Sequence, residues 1–206
     1  MAAELPDIQR VEGRLKKLTA KSLYKRGNAY SFDVDGQSMW FLTNERSWNP
    51  TSPFLAEGDR VELAVLDTPL TPTGERWVYA LRNLEDDGVY IAHFAWQGTS
   101  EPYAATRIPP GSEHRYVLAL TALLMAILGM GACMGAVTGT ATNSESWLFL
   151  GGLCVGAWLL FAVPLYITRW RWKAGFPTRR QRVTEAVYRC LDLGSPLAPN
   201  RPVRAV

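Results

Sequence analysis

Charged side chains and histidine are missing from two long stretches of this sequence. Residues 116–137 and 147–167, which are 22 and 21 residues long, contain no Asp, Glu, Lys, Arg or His. A helix rises about 1.5 Å per residue and a bilayer core is about 30 Å thick, so each stretch is long enough to cross it. Because transport and proton relay usually place an ionisable group at mid-membrane, this absence disfavours a charge-coupled carrier.

Cysteine and histidine are also scarce. Cys133 and Cys154 lie in the apolar stretches and Cys190 lies after them, a pattern that excludes a disulfide framework and a C-x-x-C metal site. Neither His93 nor His114 stands beside a nucleophile motif, and the sequence contains no phosphate loop or dinucleotide fingerprint. We therefore predict a protein that is not an enzyme and that uses no cofactor and no metal.

The distribution of charge predicts the orientation of the apolar hairpin. Before residue 116 there are 13 Lys/Arg and 16 Asp/Glu, a net charge of −3, and the connection 138–146 carries only Glu145. After residue 167 there are 9 Lys/Arg and 2 Asp/Glu, a net charge of +7. By the positive-inside rule both chain ends face the cytoplasm of a bacterial-type inner membrane. The first seven residues lack the features of a secretory signal, so a cleaved leader is not expected.

Aromatic and basic residues border the two predicted spans. Tyr and Trp are enriched where a bilayer meets water, and Lys and Arg favour the cytoplasmic side. The predicted membrane-interface residues are Tyr116, Trp147, Tyr166, Arg169, Trp170, Arg171, Trp172 and Lys173.

The part of the chain before the spans has the pattern of a β domain. Residues 30–34 alternate apolar and polar side chains before Asp35-Gly36, a pair that tolerates the positive φ angles of a tight hairpin turn. Residues 57–66 predict a turn and a strand, residues 74–83 predict another strand, and Asp87-Gly88 predicts a last hairpin. Several short strands separated by turns are typical of a small barrel or sandwich.

This strand order, with the turn Gly58-Asp59-Arg60-Val61, resembles an OB-fold-like barrel over roughly residues 8–92. An unrelated domain of five or six strands is the alternative. Bacterial membrane proteins of the NfeD kind also join such a barrel to membrane helices, but there the barrel follows the helices, so no role is carried over from them.

The predicted fold is an α+β membrane protein with four parts. A cytoplasmic OB-like domain occupies residues 1–93, a Pro/Gly-rich linker 94–115, a transmembrane hairpin 116–167 and a basic cytoplasmic tail 168–206. Within the tail, residues 178–193 predict an amphipathic helix. Two positions are open to this helix, on the inner leaflet or packed on the β domain. From Ser195 onward the prolines predict disorder.

Glycines spaced four residues apart form the sharpest pattern in the spans. Gly131, Gly135 and Gly139 fall on one face of the first predicted helix, and Gly152 and Gly156 offer a counter-surface on the second. These faces either lock the hairpin of one molecule together or join several copies. Between Gly129 and Gly156 the chain resembles glycine-zipper pore-forming effectors used between competing bacteria, including type VI secretion effectors.

A basic cluster in the β domain is the candidate ligand face. It comprises Lys16, Lys17, Tyr24, Lys25 and Arg26. The net charge of −3 on the domain and its predicted membrane tether disfavour nucleic acid as the ligand, so anionic lipid or a protein is favoured. The leading hypothesis is a membrane protein that presents its β domain to a protein partner or to other copies of itself. The alternatives are a pore-forming toxin, and an immunity or accessory protein from such a system.

Overall fold

The computed structural model describes residues 5–22, 28–43, 52–69, 74–92, 109–138 and 144–206. It is a mixed α+β protein with a sheet of many strands followed by two long apolar helices. Its elements are β1 (Ile8–Arg14), β2 (Lys16–Ser22), β3 (Asn28–Val34), β4 (Gln37–Thr43), β5 (Arg60–Leu66), β6 (Arg76–Asn83), β7 (Val89–Ile91), α1 (Glu113–Thr138), α2 (Ser144–Lys173), α3 (Arg179–Cys190), β8 (Gly194–Ser195), β9 (Ala198–Pro199) and β10 (Val203–Ala205). The described residues up to Pro110 together with Pro177–Val206 form one compact unit, and those within Gly111–Phe176 form a second.

The sheet follows the strand order β1-β5-β6-β4-β3-β2, with β7 and β10 attached beside β6. β3 and β4 form an antiparallel hairpin in which Val34 pairs with Gln37. The predicted Asp35-Gly36 turn is confirmed, since both residues adopt positive φ angles, 51° and 77°. The predicted strands after Gly58 and after Gly74 are also confirmed, as β5 and β6.

β1 and β2 lie at opposite ends of this strand order although Leu15 alone separates them. Leu15 is fully buried, its N–H donates to the carbonyl of Asp59 and its own carbonyl accepts from Gly58 N–H. At Gly13, just before the bend, a Cβ would stand 2.6 Å from Cγ1 of Val34, so a side chain there would force the buried Val34 to shift. The chain therefore bends at Leu15 and pairs with β5 before the bend and with β3 after it.

The C-terminal residues belong to the same sheet. β10 pairs with β7 in parallel, with Val203 opposite Val89 and Ala205 opposite Ile91, and Val206 N–H donates to the carbonyl of Ile91. The expectation of disorder after residue 195 is therefore wrong. The prolines break helices, but Val203 to Val206 contribute a short strand because the edge of β7 offers unpaired backbone groups to it.

Two apolar clusters pack against this sheet. One contains Leu15, Phe32, Phe41, Leu63 and Tyr90 among its fully buried members. The other is covered by α3 and the residues just after it, with Val183, Val187 and Tyr188 from the helix and Leu191 and Leu193 from beyond its end. Of the two positions that the sequence leaves open for this helix, it thus occupies the one packed on the β domain.

α3 begins at the position that the sequence predicts, and capping interactions stabilise its start. The Thr178 hydroxyl accepts from Gln181 N–H, and the Gln181 side chain accepts from Thr178 N–H, so the two residues form a capping box. The helix ends near Leu191, and the backbone then turns through Asp192 and Gly194, which both have positive φ angles. This turn directs the chain back toward the sheet.

The two long helices, α1 and α2, are long and apolar enough to cross a membrane. The most apolar 18-residue windows within Glu113–Gly135 and Trp147–Lys173 have mean hydropathies of 2.3 and 2.2. The helices extend beyond the predicted spans, because α1 starts at Glu113 and α2 continues to Lys173. The two prolines before the first span, Pro109 and Pro110, stand outside α1, as the sequence predicts. Residues 94–108 of the predicted linker lie outside the described part of the chain.

Candidate functional site

Three contacts along their length hold α1 and α2 together as an antiparallel pair. At one end the Arg169 guanidinium binds the carboxylate of Glu113 at 2.8 Å. Further along, the Trp158 indole N–H donates to the Thr121 hydroxyl at 2.9 Å. Near the other end Gly131 faces α2, where Trp147 and Leu150 stand opposite it.

Among the described residues, Gly131 faces Trp147 and Leu150 of α2 and not the predicted glycines of that helix. A Cβ built at Gly131 would lie 3.4 Å from Cδ2 of Leu150, an ordinary van der Waals contact. At Gly152 and Gly156 a Cβ would meet no heavy atom within 4 Å in the described structure. Gly135 lies on α1 with Gly131, whereas Gly139 is outside the described residues. The backbone of α2 at Gly152 and Gly156 is therefore not covered by other described residues.

The predicted membrane-interface residues lie at the ends of the two helices. Tyr116 is in the first turns of α1, and Trp147 is in the first turn of α2. The others follow one another in the last turns of α2, where Trp170 is exposed, Trp172 is buried and Arg169 binds Glu113. The exposed basic residues here are Arg171 and Lys173.

The described part of the predicted ligand face lies on β2. Lys16 and Lys17 are both exposed. Lys17 has a positive φ of 53°, and its N–H donates to Oε1 of Glu57 at 3.1 Å while its ammonium binds Asp33 at 2.7 Å. This hydrogen bond with Asp33 raises the pKa of Lys17 and lowers that of Asp33. Lys17 is thus held by neighbouring acids. Tyr24, Lys25 and Arg26 lie outside the described residues.

A buried carboxylate joins two arginines across the sheet. Glu62 on β5 binds Arg10 of β1 at 2.6 Å and Arg82 of β6 at 3.2 Å. Because burying a carboxylate is costly without partners, the two guanidinium groups account for its place in the sheet. The hydrogen bond to Glu62 in turn raises the pKa of Arg10.

Further ion pairs connect these arginines to the C-terminal part of the chain. Arg10 binds Asp192 at 2.7 Å, and Asp87 accepts from both Arg82 and Arg201, at 2.7 Å and 2.8 Å. The hydrogen bond from Arg82 lowers the pKa of Asp87, and Arg201 lowers it further. Residues that precede α1 and residues that follow α2 in the chain are therefore linked by charge within one unit.

No family model matches this chain, and no curated protein or solved structure matches it either. Its function therefore has to be argued from its own geometry.

Two features of the sheet unit were missed in the sequence. The first is an open, mostly polar groove of about 470 Å³ between the end of α3 and the β8–β9 turn, lined by Glu185, Arg189, Asp192, Gly194, Ser195, Pro196 and Asn200. The second is the loop around Phe54, whose side chain is 75% exposed. Nothing in the sequence around Phe54 shows which side chain points outward.

Proposed function

We propose that this chain is a non-enzymatic protein of a bacterial-type inner membrane that presents a β domain to partner proteins in the cytoplasm. The observation that carries the proposal is the pairing of β10 with β7. In the chain β7 precedes the apolar hairpin and β10 follows it, so the hairpin is an insertion into one folded domain.

Membrane insertion is supported by the outer surfaces of α1 and α2. Leu118 is 68% exposed and Leu160 is 80% exposed, whereas the core helix of a soluble protein would bury such residues. Lipid is a suitable environment for these side chains. The described parts of both helices also keep most of their backbone hydrogen bonds internal, as a bilayer requires, although Pro164 in α2 has no N–H to donate.

The orientation follows from connectivity together with charge. Strands that hydrogen-bond to each other must lie in one compartment, so residues 89–91 and 203–205 are on the same side of the bilayer. A hairpin that crosses twice satisfies this condition. The excess of Lys and Arg after the second span favours the cytoplasm for that side.

An OB-type barrel is the architecture that we propose for the sheet. If β1 and β2 are counted as one strand bent at Leu15, the strands β1/β2, β3, β4, β5 and β6 number five, and the bent strand occurs at both ends of the strand order. A five-stranded Greek-key barrel would have this connectivity. The described ion pairs and turns stabilise the domain, and none of them forms a nucleophile with its base, so binding rather than catalysis is proposed.

Photo-crosslinking in intact bacterial cells tests the partner-binding function with the full chain. A photoreactive residue is placed at exposed positions of the sheet unit, such as Thr19 and Asp192, and at Leu160 on the helix surface as a control. Discrete protein adducts from the sheet unit, against lipid adducts from Leu160, support the proposal. The absence of a protein adduct at every exposed position of the sheet unit would contradict it.

The open α2 glycines support a second candidate function, a pore formed by several copies. Small residues allow close helix approach in membranes, and Gly152 and Gly156 have no partner within the hairpin described. Dye release from vesicles that contain the purified protein tests this candidate. A pore predicts release that Gly152→Leu and Gly156→Leu abolish, whereas intact vesicles, or release unchanged by both substitutions, would exclude it.

A further inference from the structure

Phe54 has a backbone fixed by buried side chains and a phenyl ring that faces solvent. Its N–H donates to the hydroxyl of Tyr90 at 3.2 Å, and its carbonyl accepts from Nδ2 of Asn83 at 3.2 Å. Tyr90 is fully buried and Asn83 is 1% exposed. The phenyl ring is nevertheless 75% exposed, between a buried Pro53 and a Leu55 that packs against the core.

Asn83 connects this loop to a neighbouring acidic turn. Its Nδ2 also donates to Oδ2 of Asp59 at 2.9 Å, its Oδ1 accepts from Glu85 N–H at 3.0 Å, and its own N–H donates to the carbonyl of Gly88. At Gly88 a Cβ would stand 2.9 Å from Oδ1 of Asp86 and 3.0 Å from the Tyr90 hydroxyl, so a side chain there would displace these groups. The backbone of Phe54 and the turn that contains Glu85 are therefore joined through Asn83.

The turn that Asn83 joins to the Phe54 loop carries negative charge. Glu85 and Asp86 are exposed, and within the described residues neither forms an ion pair, whereas Asp87 is compensated by Arg82 and Arg201. The nearby Arg60 guanidinium is bound to Glu12. An anionic membrane surface would repel Glu85 and Asp86, but a basic surface would attract them.

We infer that Phe54 is the anchor of a docking surface for a basic protein partner, which offers an apolar pocket to the ring and Lys or Arg to Glu85 and Asp86. Exposed aromatic residues with a preorganised backbone lose little entropy on binding and often dominate the affinity of an interface. This inference rests on the proposed partner-binding function and names its surface and the chemistry of its partner.

Peptide selection tests the inference with the full chain in phosphatidylcholine nanodiscs. Random phage-displayed peptides are the probe, and the selected peptides are measured against the wild type, Phe54→Ala, Glu85→Lys and the control Phe176→Ala. Phe176 is an exposed phenylalanine of similar accessibility, 67%, outside the sheet unit. We expect selected peptides that combine Lys or Arg with apolar residues, and binding that weakens about tenfold or more in Phe54→Ala. Glu85→Lys should weaken it too, and Phe176→Ala should not.

Other results overturn the inference. They are the absence of any peptide that depends on Phe54, a selected set of acidic peptides, and Phe54-dependent binding of the nanodiscs to phosphatidylglycerol vesicles, which would assign the ring to a lipid surface. If these results occur while crosslinked protein adducts still form elsewhere on the sheet unit, the docking surface is wrong and the proposed function stands. If no position gives an adduct, the proposed function itself fails.

Discussion

The indole N–H of Trp158 donates to the hydroxyl oxygen of Thr121, 2.9 Å away, and the same hydroxyl donates to the carbonyl of Val117 at 2.8 Å. The Thr121 hydroxyl thus accepts a hydrogen bond from α2 and donates one within α1. The two helices are otherwise apolar at this level. In a bilayer an indole N–H facing lipid would be unsatisfied, so this pair fixes which face of α2 meets α1.

Removing this hydrogen bond should weaken the hairpin modestly. We expect Thr121→Val and Trp158→Phe each to lower the free energy of unfolding, with a coupling of about 0.6 kcal/mol and no more than about 1.7 kcal/mol. A double-mutant cycle, measured by denaturant unfolding in detergent micelles, gives the coupling directly. If the two losses simply add, the residues do not interact in the folded hairpin.

Glycine substitutions should separate packing within the hairpin from packing between copies. At Gly131 alanine fits, because its Cβ would stand 3.4 Å from Leu150, but leucine would push α1 away from α2. At Gly152 and Gly156 leucine meets open space within one molecule. We therefore expect Gly131→Leu to lower the unfolding midpoint and Gly152→Leu to leave it unchanged. Equal losses from both substitutions would contradict this hairpin packing.

Acid should loosen the attachment of the C-terminal residues. Arg82 and Arg201 keep the pKa of Asp87 below its usual 3.8, so the folded protein holds the charged form more strongly than the unfolded chain does. The resulting stability is present above pH 3.8 and is lost as the pH falls through the lowered pKa of Asp87. Compared with the wild type, Asp87→Asn should show a smaller decrease of unfolding free energy over this acidic range. Identical pH profiles for the two proteins would show that Asp87 contributes nothing.

Alkali should act through Tyr188, which α3 buries against the sheet. Burial raises the pKa of Tyr188 to about 12 from its usual 10.0. The unfolded chain ionises this phenol first, so its contribution to stability is present below pH 10 and is lost as the pH rises toward 12. In the difference between the tyrosinate absorbance titrations of the wild type and Tyr188→Phe, a step near pH 12 is expected. A step near pH 10 would place this ring in solvent.

Local signals in the sequence predicted much of the fold. Asp35-Gly36 gave the β3–β4 hairpin because its turn is encoded by two adjacent residues, and the apolar runs gave α1 and α2 because twenty or so apolar residues satisfy one length rule. The apolar spacing over residues 178–193 likewise predicted α3, although the helix ends at Cys190. These features depend on neighbours in the chain.

Features that depend on distant residues were not predicted. β10 has three residues and pairs with β7 more than a hundred positions earlier, so no local pattern reveals it. The four-residue spacing of the glycines is visible in the sequence. The rotation of α2 that places Trp147 and Leu150 opposite Gly131, however, follows from packing and from the Trp158 hydrogen bond. The outward direction of Phe54 likewise depends on Asn83 and Tyr90, which are distant in sequence.

A disulfide between β7 and β10 tests most directly the claim that the hairpin interrupts one domain. The full chain, with its three cysteines replaced by alanine, carries Val89→Cys and Val203→Cys, which are opposite each other in the parallel pair. After mild oxidation in native membranes and cleavage within residues 93–108, we expect the two fragments to remain linked until a reductant is added. The control pair Thr19→Cys and Val203→Cys, on strands that do not pair, should give separate fragments. Separate fragments from the Val89 and Val203 pair would contradict the shared domain, and with it the argument that both ends of the hairpin lie on the same side of the membrane.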